Sequence, residues 1–530
     1  MLLWVLCMIP LVALMGSGID LGTAYVARKQ MQVACDAAVL AGRRAMTTTI
    51  DDRVRSEATK FFNFNFTQGV FGARPFVPQV TSAPDSKTTL VLTAATSIPT
   101  SVMRIFGVDS LPVSTSCNAS QDFVNTDIVL VLDTTGSMKD KATPADTKTK
   151  IEALRGAVLA LFDQLASVQD QLSASGMRLR YGVVPYASAV NVGKAIRAVN
   201  PDYMLSGEWT YQSRQSVTER RGRNSCYDVG GTYDWAERSC TYFTYLPRKF
   251  DVTDYVAGAA VDVDQLVGTA DGTGYQPTRS TPRKVSWAGC VEERQTVAMP
   301  ANSPAIPAGA TDLNINLIPT DNATRWKPYW PEVEYVPYWL GIYANDPYKP
   351  QYACPSAPAM MKSWTRQDLE NYLKTLVPNG GTYHDNGMMW GARWASSSGI
   401  FGGLNPEKYN SMPVKKYIIF MTDGLFDTGY RGLYSSYGVE QLDKRATPGG
   451  ASSDEADQLA RHRQRFSLLC SQAKAMGYSV WVLGFATSID STLENCASNK
   501  SQASTSDDQE ALMGRFVEIG KNIGALRLTR

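Results

Sequence analysis

The sequence predicts an α/β protein: a mostly parallel sheet wrapped by helices and carrying a long inserted lobe, preceded by an N-terminal helix and a small strand-rich lobe. Three observations carry this expectation. From about residue 125 onward, apolar runs of strand length alternate with amphipathic segments of helical length, the order that builds parallel sheets. A Pro- and Gly-rich, aromatic stretch from about 200 to 364 interrupts the alternation, and it is far too long for a connecting loop. The first 46 residues read as one helix, apolar at its start and alanine-rich later.

The chain has 530 residues, of which 44% are hydrophobic and 19% charged. That is enough for several domains with a sizeable core, and it excludes a globally disordered chain. A formal charge of +2, with no run of like charges, offers no footprint for nucleic acid.

Residues 1–19 carry no charge and are mostly Leu, Val, Met and Ile, broken by Pro10. At about 1.5 Å per residue such a helix just crosses a bilayer core of roughly 30 Å. There is no basic start and no small-residue cleavage site before a mature domain, so an uncleaved anchor is expected rather than a signal peptide. The missing basic flank points to a true start upstream of Met1. Ala24, Ala27, Met31, Ala34, Ala38 and Ala41 then recur at alternating three and four spacing. Such a seam admits another helix closely, or packs the helix on a sheet. Phe61, Phe62, Phe64 and Phe66 mark a short aromatic helix, and residues 88–94 alternate as a strand. The expected boundaries are 1–46 for the long helix and 47–122 for the small lobe.

Residues 128–132 form a continuous apolar run, as in a central strand buried on both faces. Ile151, Leu154, Val158, Leu161, Leu165 and Val168 trace one face of a helix. Further strands are expected at 179–184, 417–421 and 480–485, and helices around 367–376, 385–394 and 458–476. Leu512, Phe516, Ile519, Ile523 and Leu526 mark a last helix. One domain therefore spans 123–530, with its insertion at about 200–364. The insertion is expected to hold its own small core and to present Tyr and Trp as a contact surface; a lobe that hides its aromatics and only stabilises the fold is the alternative. No internal repeat is present.

Nine cysteines form no CxxC or CxxH, and the two histidines are His384 and His462, so a zinc cluster is not expected. In an exported chain the cysteines read as disulfides; buried free thiols are the alternative. Cys470 and Cys496 fall in one local helix–strand unit, and Cys226 and Cys240 flank a Gly-Gly turn. Cys290 with Cys354 follows partly by elimination. Each bridge would contribute about 2–4 kcal/mol.

Asp133-Thr134-Thr135-Gly136-Ser137 follows the first core strand directly. A carboxylate and two hydroxyls at alternate positions of a tight turn can face one point, a hard-oxygen set suited to magnesium, calcium or manganese. Asp423, in Met421-Thr422-Asp423-Gly424, ends another strand. Ligands of parallel sheets gather at the carboxyl ends of strands, so Asp423 should meet Asp133. Gly380-Gly381-Thr382 opens a helix and offers a third hydroxyl. No nucleophile elbow, HExxH or phosphate loop is found, so no enzyme is expected. His384 reads as a polar residue at a helix start, with a place behind the ligands as the alternative. His462 reads as a packing residue.

These pieces resemble the metal ion-dependent adhesion site of von Willebrand factor A domains, whose first loop reads Asp-x-Ser-x-Ser; Thr135 replaces the first serine and keeps its hydroxyl. The resemblance implies a Rossmann-like domain holding a divalent cation through Asp133, Thr135, Ser137, Thr382 and Asp423. Residues 16–44, ending in Cys35-Asp36-Ala37-Ala38-Val39-Leu40-Ala41-Gly42, look like the start of Tad (Flp) pilus-assembly proteins of the TadE/TadG type. The long helix with a small strand-rich lobe is similar to a pilin. Trp287-Ala288-Gly289-Cys290-Val291-Glu292, Gly381-Thr382-Tyr383-His384-Asp385, Trp390-Gly391-Ala392-Arg393 and Leu526-Arg527-Leu528-Thr529 resemble TadG-type A domains. The family implies a protein of tight-adherence machinery, set in the inner membrane with a periplasmic or extracellular domain, or at the pilus tip. Its expected partners are major or minor pilins through the helix, and a host, surface or envelope ligand through the metal face. It would act as a tip or minor-pilin-like adhesin; the alternative is a membrane-anchored periplasmic scaffold for pilus assembly.

Overall fold

A computed structural model describes residues 2–46, 50–84, 86–120, 124–174, 176–229, 231–263, 266–268, 275–277, 283–330, 354–429, 433–448 and 454–524. The chain divides into two units. The first comprises Met1–Val124 with Ser167–Met177 and Ile523–Arg530; the second comprises Asn125–Ala166 and Arg178–Asn522.

In the first unit, helix α1 (Leu2–Ala45) packs beside helix α2 (Asp52–Asn65) and on an antiparallel sheet of β1 (Gln79–Ala83), β2 (Ser86–Pro99) and β3 (Ser110–Ser120). Ala27, Met31, Ala34 and Ala38 are buried in one cluster with Leu90, Leu92 and Val113, so this part of the alanine seam is filled by the protein's own sheet. Helix α2 starts at Asp51, whose carboxylate accepts the Val54 N–H at 2.9 Å. Of its aromatic group, Phe62 and Phe66 are buried while Phe64 points to solvent. Asp20 of α1 accepts the backbone N–H groups of Ser101, Val102 and Met103 at 2.8, 2.9 and 2.8 Å. These bonds, that from Met103 foremost, hold its carboxyl below the usual range. Cys35 of α1 is bonded to Cys117 of β3, a pair the spacing of the cysteines did not indicate. Among the described residues no helix is long and apolar enough to cross a membrane. The expected anchor, residues 1–19, falls mostly on positions 1–14, whose side chains lie outside the described set.

The second unit is built on a sheet whose strands run in the order Ala359–Lys362, β5 (Leu179–Tyr186), β4 (Asn125–Asp133), Met412–Thr422, Ser479–Phe485 and Ala503–Ser506. The last five are mutually parallel; Ala359–Lys362 pairs antiparallel with β5. Every residue of β4 and β5 is buried, which explains why β4 reads as an unbroken apolar run rather than an alternating one. Helix α3 (Lys150–Ala174) connects β4 to β5. Helix His384–Ala395 lies across β4 and β5 and is buried along its whole length. Gly391 makes that approach possible, because a Cβ there would stand 2.3 Å from Val131 Cγ2.

Among its described residues the insertion forms no core of its own. Trp287, Val291, Met299, Leu313, Trp326 and Trp330 belong to the same buried cluster as Val129, Val184, Phe420 and Trp390. Aromatic composition reads equally as a surface lobe or a share of a common core, and here the described aromatics mostly took the second course. Trp235 is 67% exposed and Tyr227 51%. Both lie in the connection between Glu208–Arg220 and Ser239–Asp251, paired strands of a five-stranded sheet, near the Cys226–Cys240 bond. Residues 331–353, which hold further Tyr and Trp, lie outside the described residues, as do Leu526 and the C-terminal motif.

A buried carboxylate fastens the insertion to the sheet domain. Glu293 accepts from Trp326 Nε1 at 3.0 Å, Trp390 Nε1 at 2.5 Å and Arg393 at 3.0 and 3.2 Å. Arg465 adds a second clasp, donating to Asp312 of the insertion and to Asp385. His462 lies beside it with Nδ1 2.8 Å from Asp385 Oδ2; it is thus a packed residue that joins a polar network through Nδ1, while its buried Nε2 has no hydrogen-bond partner among the described residues. Glu293→Ala should leave Arg393 buried without its partner and cost about 3–5 kcal/mol. The measure is the urea midpoint at unchanged slope; a loss below about 1 kcal/mol would show that Glu293 is not the fastening.

Candidate functional site

Parallel pairing in register decides where the carboxylates meet. Leu132 of β4 stands opposite Met421, and Asp133 opposite Tyr186 of β5, so the chain leaves three adjacent strands at one edge of the sheet. Asp133 and Asp423 are both buried there. The loop carrying Thr382 is drawn to the same edge by backbone bonds: Gly136 N–H donates to Gly380 C=O at 3.0 Å, and Asn379 N–H to Thr134 C=O at 2.7 Å. Gly380 has φ +83°, a conformation that costs glycine least. Thr382 is buried and its backbone pairs with Asp427.

The side chains interlock. Asp133 Oδ1 accepts the Thr135 N–H at 2.8 Å, and Asp133 Oδ2 the Thr422 hydroxyl at 2.8 Å. Ser137 donates to Asp423 Oδ1 at 2.8 Å; the Thr135 hydroxyl lies 3.0 Å from that of Ser137 and 3.5 Å from Asp423 Oδ1. Thr135, Ser137 and Asp423 are therefore joined side chain to side chain, Asp133 is tied to them through the Thr135 N–H, and Thr382 reaches the site through its loop. Burial first, and the Asp423 charge second, push the Asp133 carboxyl up to about 7. Two carboxylates held this close out of water favour a proton or a cation between them.

Three residues at this edge escaped the sequence reading. Thr422 donates to Asp133 and is met from behind by His384 Nε2 at 2.9 Å. With the Thr422 proton directed at Asp133, His384 must donate from Nε2. His384 is thus not merely a polar helix start but a fully buried support for the loop; burial lowers its pKa to about 3, keeping it neutral. Tyr186 directs its hydroxyl at Asp133 Oδ2 from 3.4 Å. Lys150, the first residue of α3, places Nζ 3.1 Å from Asp423 Oδ2. Thr422 stands inside the motif already singled out, and Tyr186 could have been found by extending the second strand two residues. Nothing in the sequence marks Lys150.

The donor set is two carboxylates with neighbouring hydroxyls, hard oxygens that fit magnesium, calcium or manganese. Among the described residues no group of three or more His, Cys, Asp or Glu is disposed to hold a metal ion, so a cation here would depend on the hydroxyls as well as the two carboxylates. Away from this edge, Cys290 is bonded to Cys354 and Cys470 to Cys496, which with Cys226–Cys240 places all six cysteines singled out by position in bonds.

A family model described as "Putative Flp pilus-assembly TadE/G-like" matches residues 1–46. No curated protein matches the sequence. Solved structures similar to the chain include the pilus adhesin SpaC from Lactobacillus rhamnosus GG in its open conformation, at 11% identity and a TM-score of 0.29, over 85% of this chain and 33% of that one. The chain thus spans about a third of that adhesin. The vWF domain of the type V pili tip protein Mfa5 from Porphyromonas gingivalis has 11% identity and a TM-score of 0.29, over 76% of this chain and 97% of that one. The adhesive tip pilin GBS104 from Group B Streptococcus agalactiae has 10% identity and a TM-score of 0.31, over 75% and 100%. Superpositions this loose fix no detail of fold or site.

The raised Asp133 pKa sets a pH dependence for the metal-free protein. Between about pH 4 and 7 the folded state keeps a proton that the unfolded chain has released, so stability should fall as pH rises through that window. Thermal melts in chelator from roughly pH 5 to 8 should show this decline, and Asp133→Asn should flatten it. A parent curve that rises over the same range would contradict the assignment.

Proposed function

We propose that the chain is a pilus-associated surface protein of the tight-adherence type, whose second unit is a von Willebrand A-type domain binding its target through a divalent cation. The observation that carries this is the meeting of Asp133, Thr135, Ser137 and Asp423 at the carboxyl edge of a parallel sheet, with the Thr382 loop bonded to the first of these loops. The cation would be held by the two aspartates and the three hydroxyls, and would complete its shell with an acidic group of the partner. The match of residues 1–46 to the pilus-assembly model supports assignment of α1 to the membrane and to pilin partners.

The path of the insertion supports a shared recognition surface. The chain leaves β5 at Tyr186, beside Asp133, and re-enters the sheet with Ala359 opposite Val183. Both crossings lie toward the edge that carries the carboxylates. Because the insertion shares the common core, deleting it would unfold the domain, and point substitutions are the sounder probe.

Calorimetry with magnesium should find binding abolished in Asp133→Ala and Asp423→Ala and largely kept in Thr135→Ser; undiminished binding in Asp133→Ala would end the metal reading. In cells carrying Asp133→Ala, normal pili with reduced surface attachment would support an adhesin. Loss of pili would instead favour the second role, an inner-membrane-anchored periplasmic scaffold. Packing of most described aromatics of the insertion in or against the common core favours that reading.

A further inference from the structure

We propose that Lys150 is the resident counter-cation of the Asp133–Asp423 pair, so that a divalent metal enters by displacing its ammonium group rather than by filling an open site. The proposal rests on the metal reading above.

Asp423 has two oxygens, and each has a donor. Oδ1 takes the Ser137 hydroxyl at 2.8 Å, and Oδ2 takes Lys150 Nζ at 3.1 Å. The Asp423 side chain is wholly enclosed, whereas that of Lys150 retains 12% exposure. The lysine therefore reaches the carboxylate from the rim and has a way out. Its backbone is fixed independently, since Lys150 N–H donates to Asp140 C=O at 2.7 Å. The ammonium can then leave by rotation of its flexible stem, without α3 moving.

The charges favour exchange. A carboxylate enclosed without a counter-charge is costly, and the ammonium reaches Asp423 alone, at Oδ2. A divalent cation between Asp133 and Asp423 answers both. Lysine is suited to this role because its charge is a point on a mobile chain; a guanidinium would grip the carboxylate with a fork and resist displacement. The competing account is a plain ion pair that fastens the start of α3 to the sheet edge and has no bearing on metal.

The test is isothermal calorimetry with magnesium chloride on the full chain and on Lys150→Met and Lys150→Arg, with melts in chelator and in excess magnesium. Lys150→Met should bind magnesium about tenfold more tightly or better, a change expected from losing one competing buried charge. It should also melt below the parent in chelator, with the gap closing when magnesium is added. Lys150→Arg should bind more weakly than the parent, and it covers the case in which the methionine variant fails to fold. Binding in Lys150→Met with none in the parent also supports displacement. Equal affinities in all three proteins would overturn the role of Lys150 while leaving the metal site standing. Three folded proteins with no magnesium binding would overturn both.

Discussion

The in-register parallel pairing of β4 with Met412–Thr422 is the constraint on which the rest of the second unit depends. Because Leu132 faces Met421, two chain segments nearly three hundred residues apart release their aspartates at the same edge, Asp133 level with Thr422 and Asp423 one residue beyond. A slip of one residue would turn every side chain of the strand to the other face and part the carboxylates. What holds the register is burial on both faces, with Val129 and Val131 on one side and Leu130 and Leu132 on the other, all inaccessible to solvent. The apolar core thus does electrostatic work: it brings the Asp133 and Asp423 carboxyl groups out of water at one edge of the sheet.

Much of this was legible in the sequence, for a physical reason. Strands buried on two faces must be apolar throughout, so β4, β5 and the strands near 417 and 480 stand out. Ligand-bearing turns follow directly after such runs, which brought Asp133, Ser137 and Asp423 into view. What stayed hidden depends on contacts made across the fold. Lys150 matters only because α3 docks with its first turn over Asp423, and docking leaves no local pattern. Cys35 and Cys117 are 82 residues apart, and their pairing follows from the placement of α1 on β3. The insertion misled in a third way. Aromatic side chains serve a surface and a core equally well, and nothing in the composition indicates that Glu293 and Asp312 would face the arginines of helices outside the insertion.

Those arginines change the meaning of the insertion. Glu293 bonds Trp326 within the insertion and Trp390 and Arg393 on the helix buried over the sheet. Buried ion pairs add little net stability when compared with an apolar filling, but they punish misplacement severely. The insertion is therefore held in one registration with respect to the sheet that carries the carboxylates. A rigid setting of this kind lowers the ordering cost of any contact made jointly by the two.

The bond between Cys35 and Cys117 has a mechanical consequence. Tension entering along α1 and leaving through the chain beyond β3 would pass from one residue to the other through sulfur, bypassing everything between them. Helix α2 and strands β1 and β2 would then carry none of the load, and the hydrogen bonds that join them would not be pulled apart in sequence. The small lobe would keep its shape under a pull that the non-covalent contacts of α1 alone could not bear.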